Sequence, residues 1–80
     1  MSATIKRLNH AVLYVREQER SVSFYREAFG FEEIGREGGR MAFLRAKGGT
    51  NHHDLGLFEV GASAASAPPG ATGLYHLAWE

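Results

Sequence analysis

The feature that most constrains this chain is a change of hydrophobic period near its start. Residues 8–15 (LNHAVLYV) are rich in apolar and β-branched residues and alternate with period two. That places Leu8, His10, Val12 and Tyr14 on one face and Asn9, Ala11, Leu13 and Val15 on the other. In the following REQERSVSFYREAFG, Val22, Tyr25, Ala28 and Phe29 recur at helical spacing with Phe24 beside them. Glu19, Arg20, Ser23, Arg26 and Glu27 form the polar side. This predicts an amphipathic helix of about three turns, ended by Gly30. Strand character then returns in residues 31–36 (FEEIGR). A turn at Glu37-Gly38-Gly39 makes a hairpin with residues 40–45 (RMAFLR), and after the loop 47–51 (KGGTN) comes residues 53–60 (HDLGLFEV). Such a β-α-β-β-β order curls a four-stranded sheet with the helix on its outer face, and the inner face then needs a cover.

Residues 61–73 (GASAASAPPGATG) are small and Pro-containing and read as a flexible linker. Residues 74–79 (LYHLAW) look like a new strand, and its opening repeats the first one: Leu74-Tyr75-His76-Leu77 against Leu8-Asn9-His10-Ala11. The expected organisation is a first βαβββ module over residues 1–60, a linker over 61–73, and the start of a second, incomplete module over 74–80. On this reading the chain looks unfinished, and the fold class is α+β.

At 80 residues without cysteine, the chain is small enough to need a staple, and that staple is not a disulfide. A thiolate nucleophile, zinc ribbon or iron–sulfur cluster is excluded on the same ground. A His/carboxylate metal site or another polypeptide surface is left. Nine Lys+Arg against nine Asp+Glu leave no basic excess for nucleic acid. No apolar run approaches the ~20 residues of a membrane span, and residues 1–4 lack a signal peptide's regions, so a soluble cytoplasmic protein without a membrane partner is expected.

The histidines are His10, His52, His53 and His76, with Asp54 and Glu59 the carboxylates nearest in sequence. Strand-borne histidines at equivalent places in duplicated units converge if the units pack about a pseudo-twofold axis. Neutral imidazole is the commonest protein metal ligand, and two histidines with one carboxylate is the donor set of non-haem Fe(II) oxygenases. His52-His53 reads equally well as a solvated loop pair, and Asp54 as a turn acceptor. Phe24, Tyr25, Phe29 and Phe31 are expected in the core, and Tyr75 and Trp79 as apolar cover for the sheet.

The run LNHAVLYVREQERSVSFYREAFGFEEIGR resembles the opening module of the vicinal oxygen chelate superfamily, which includes glyoxalase I, bleomycin-resistance proteins and type I extradiol dioxygenases. The features that carry the resemblance are His10 in an apolar strand, Ser21 to Tyr25 (SVSFY) on the helix, and Phe29-Gly30-Phe31 at its end. In glyoxalase-like members the fourth strand commonly offers a carboxylate ligand. Here that position falls on Gly56, although a shifted register would offer Glu59. The dioxygenase pattern fits better. It implies His10 and His76 as metal ligands, and His53, rather than His52, as acid/base.

What the resemblance therefore implies is a metal-dependent extradiol-type, ring-cleaving dioxygenase. Fe(II) is the first choice of metal and Mn(II) the second, with O2 and a small aromatic or vicinal-diol (catechol-like) substrate. The third, carboxylate ligand has no counterpart in this chain, so the expected working form is a homo-oligomer or part of a longer chain. The alternatives are a non-catalytic binder of a drug or flat aromatic ligand, as in bleomycin resistance, and a glyoxalase-like isomerase or lyase.

Overall fold

The computed structural model describes residues 3–80. The elements follow the expected order: β1 (Ala11–Val15), α1 (Gln18–Phe29), β2 (Glu32–Glu37), β3 (Met41–Arg45) and β4 (Leu55–Glu59). They form one four-stranded mixed sheet in the order β1-β4-β3-β2, with one helix. This is the α+β, βαβββ module. β2 and β3 are hairpin neighbours, β3 and β4 are antiparallel, and β4 returns to lie parallel to β1 with Ala11 opposite Leu55.

The parallel pairing of the first and last strands needs a crossover, and α1 with the β2–β3 hairpin supplies it. The helix ends where the sequence predicts. Gly30 takes a left-handed φ of 72°, its N–H donates to Arg26 O, and Phe31 N–H donates back to Tyr25 O. The Gly30 bond is the 5→1 bond of an αL cap, and the Phe31 bond ties the next residue back to the same turn. The start of α1 is capped from a distance. Glu17 makes no side-chain cap, but Glu59 Oε1 on β4 accepts from the Gln18 backbone N–H at 3.0 Å. A carboxylate there also suits the positive end of the helix dipole.

One sheet face is buried against the helix. Val22, Phe31, Ala42, Leu44, Leu55 and Leu57 form its core, with Leu13, Val15, Tyr25 and Trp79 packed on the margin. Trp79 meets Phe31 edge-on at 5.2 Å. The other face is open. Val12, Tyr14 and Phe58 are 49, 79 and 37% exposed, and Tyr14 and Phe58 meet edge-on at 5.7 Å.

Several local expectations shift. β1 starts at Ala11, not Leu8, because the last pairing upstream of β4 is Ala11 N–H to Asp54 O; His10 therefore stands just before the strand. Phe24 and Phe29, expected in the core, are each 54% exposed. Phe24 is two residues from buried Val22, about 200° around the helix, and Phe29 closes the last turn, stacked on Tyr25. Residues 61–73 form no helix or strand, yet Arg16 ties them to the module. Its Nε donates to Ala64 O and its Nη2 to Ser66 Oγ, at 2.8 and 2.6 Å. Residues 74–80 show no strand either. A strand pairs its N–H and C=O groups with a neighbour, and residues 74–80 make no such pairing with the described strands.

Candidate functional site

The site is built on the seam between β1 and β4. Because these strands run parallel and in register from Ala11 and Leu55, the residues just before them are brought side by side. His10 and His53 meet there, with ring centroids 4.5 Å apart. Phe43 flanks His53 at 4.9 Å and His52 at 6.2 Å. His52 and His53 also touch through their Nδ1 atoms at 3.0 Å, so one of the two is the donor.

Which face this is follows from Gly56. A Cβ on Gly56 would lie 2.8 Å from Met41 Cε and 3.2 Å from Val12 Cγ2. Val12, Met41 and Gly56 therefore share the open face, and by alternation so do Tyr14, Phe43 and Phe58. Glu59 does not. It lies opposite Val15, on the helix side, and its carboxylate is spent on the Gln18 N–H. The shifted register that would offer Glu59 as a ligand is thus overturned, and the open face of β4 carries Gly56, which has no side chain to ligate.

The loop leading into β4 is pinned rather than loose. Asp54 Oδ2 accepts from Ala46 N–H and Oδ1 accepts from Asn51 Nδ2, both at 2.8 Å. Asn51 Nδ2 also donates to Asn9 O at 3.0 Å, and Asn9 Nδ2 donates to Asn51 Oδ1 at 3.4 Å. Asn9 Oδ1 in turn lies 2.8 Å from His10 Nδ1. Asp54 thus serves as an acceptor that shapes the turn. Asn9, Asn51 and Phe43 were not singled out by sequence reasoning. Asn51 sits in a Gly-rich loop and Asn9 on the opposite strand face from His10, so neither alternation nor spacing marks them.

Burial pushes the His53 pKa below its ordinary value. The charges of His10 and His52 push it the same way, and Asp54 opposes them. A half-buried imidazole held neutral beside another histidine can accept a proton. His52 is exposed.

His76 is exposed in the irregular 74–80 segment. Among the described residues no three or more His, Asp or Glu side chains converge to hold a metal ion. Asn9 occupies His10 Nδ1 and leaves Nε2 as the nitrogen that could meet a metal. A separate hollow of about 690 Å³, between the start of α1 and residues 64–67, contains neither histidine.

Comparison with known proteins gives a consistent answer. The family model described as Glyoxalase/Bleomycin resistance protein/Dioxygenase superfamily matches residues 7–80. The chain is 35% identical over 80 residues, all of its length, to a manganese-dependent 2,3-dihydroxybiphenyl 1,2-dioxygenase of Geobacillus genomosp. 3, of which it covers 22%. It is 32% identical over 75 residues, 94% of its length, to metapyrocatechase 2 of Cupriavidus necator, of which it covers 21%. The chain therefore spans about a fifth of the length of these curated relatives. No solved structure gives a significant match.

Proposed function

The chain belongs to the glyoxalase/bleomycin resistance protein/dioxygenase superfamily, and from that premise we propose that it contributes to the active site of a metal-dependent extradiol-type dioxygenase acting on a catechol-like substrate. The observation that carries this reading is the His10–His53 pair, 4.5 Å apart at the end of an open apolar sheet face. Two relatives named as a dioxygenase and a metapyrocatechase support it, and Gly56 on the same face weighs against a glyoxalase-like ligand set.

In this proposal His10 and His76 are metal ligands, and a carboxylate from a further module or a second copy completes the set. Fe(II) or Mn(II), when bound, supplies charge that polarises the two adjacent hydroxyl oxygens of a catechol and orients it toward O2. The manganese dependence in the name of one relative leaves both metals in play. The rest falls to the chain's own groups. His53 Nε2 takes the proton of a substrate hydroxyl, a role that its lowered pKa suits, because the ring is neutral and ready to accept near pH 7. Phe43 packs against the His53 ring. Tyr14 and Phe58 offer an aromatic wall for a flat substrate.

The test is O2 uptake with catechol by the metal-loaded, assembled protein, together with the absorbance of the ring-opened product. Stoichiometric O2 and catechol consumption supports the proposal. His53→Ala is expected to lower turnover about 10²- to 10⁴-fold while keeping the metal. Binding of catechol without O2 uptake in the metal-loaded protein would contradict catalysis and favour the non-catalytic binder of an aromatic ligand.

A further inference from the structure

The polar groups behind His10 form a directional series. An ionised carboxylate only accepts hydrogen bonds, so Asn51 must present its NH2 to Asp54, at 2.8 Å. That fixes which way round the Asn51 amide lies. Its Oδ1 is left facing Asn9 Nδ2 at 3.4 Å, with Arg7 Nη2 also directed at it at 3.5 Å. Two donors on one oxygen agree with this assignment. The Asn9 amide is fixed in the same way: its NH2 faces Asn51, so its Oδ1 faces His10 Nδ1 at 2.8 Å. A carbonyl oxygen has no proton to give, so the His10 nitrogen must donate.

We infer that Asn9, oriented through Asn51 by Asp54, is a positioning residue that holds His10 in its Nδ1–H tautomer and so keeps the Nε2 lone pair free for a ligand. The inference rests on the proposed role of His10 only where metal affinity is concerned, because the tautomer is a property of the metal-free chain. Partners on the second nitrogen of a ligating histidine typically change metal affinity 10- to 100-fold. The same series joins the two histidines mechanically: it runs from the residue after His53 to the residue before His10, across the β1–β4 seam. Asn9, Asn51 and Asp54 are not offered as catalytic groups, since none is placed against a substrate.

The test has two readouts on the full chain. The first is the 15N shifts of the His10 imidazole in the metal-free protein, above the pH at which the ring is protonated. The wild type is expected to show one predominant tautomer, Nδ1–H. Asn9→Ala is expected to shift it toward Nε2–H, and Asn9→Asp, which keeps an acceptor oxygen, to restore it. The second readout is Co(II) affinity, expected to fall about 10- to 100-fold in Asn9→Ala and to recover in Asn9→Asp. An unchanged His10 tautomer in Asn9→Ala, with a native-like amide spectrum, would overturn the inference whatever the metal does. If the tautomer shifts as expected but His10→Ala binds Co(II) as tightly as wild type, the positioning role stands and the assignment of His10 as a ligand fails. Asn51→Ala removes the orienting group without touching Asn9, and is expected to give a mixed tautomer in a folded chain.

Discussion

At the scale of residues, the site depends on how two imidazoles are held. His10 is exposed and tethered by Asn9, whereas His53 is half-buried between His10 and Phe43. Burial, ahead of the nearby histidine charges, keeps His53 below its ordinary pKa of 6.5. The unfolded chain therefore takes up this proton more readily than the folded one. The stability associated with a neutral His53 is complete above about pH 6.5 and is lost as the pH falls through the lower, folded-state value. The melting temperature of the wild type is expected to drop on acidification in this window, and that of His53→Gln to drop less. Parallel curves for the two proteins would contradict the assignment. The histidine pairing was only partly legible in the sequence. Alternation put His10 on the face of Val12 and Tyr14, but the contact with His53 depends on β4 returning parallel to β1, a fact no local window contains. The amides were not legible at all, because the link between Asn9 and Asn51, 42 residues apart, joins two short-range contacts that no local window connects.

At the scale of elements, period and turn chemistry were enough to order all five. The Gly30 terminus of α1 shows why: a left-handed residue with two backward hydrogen bonds is a local device, and its signal is local. The other end of α1 is different. Its cap comes from Glu59 at the end of β4, so nothing near residue 17 announces it. The same contact explains why Glu59 is no candidate ligand. Glu59→Ala should remove a partner from the first turn and a charge from the helix dipole. The expected cost is about 1 kcal/mol, read as a lower denaturant midpoint with an unchanged slope; an unchanged midpoint would show that the first turn does not depend on this carboxylate. The extent of β1 was overestimated because apolar character at Leu8 is not pairing, and ladder bonds rather than hydropathy end a strand. Phe24 and Phe29 were misplaced for a related reason. A helix beside a small sheet buries only a narrow stripe, here Gln18, Val22 and part of Tyr25.

At the scale of the whole molecule, the helix covers one sheet face and leaves Val12, Tyr14 and Phe58 open on the other. That open face, ending at the His10–His53 pair, is where the proposed second module or second copy would dock. The Leu-x-His repeat at residues 8–10 and 74–76 pointed to the same place from sequence. Among the described residues, 74–80 pair with no strand, and His76 is exposed in that irregular segment. Bringing His76 to His10 is the step that the proposed function requires. It is tested most directly by histidine imidazole spectra during a titration with substoichiometric Mn(II), with native mass measured on the same sample. The His10 and His76 signals are expected to broaden first and together, with His53 following from its place 4.5 Å from His10, and His10→Ala is expected to abolish the effect at His76. Sharp His10 signals while other groups broaden, or broadening at His76 that survives His10→Ala, would contradict the proposed function.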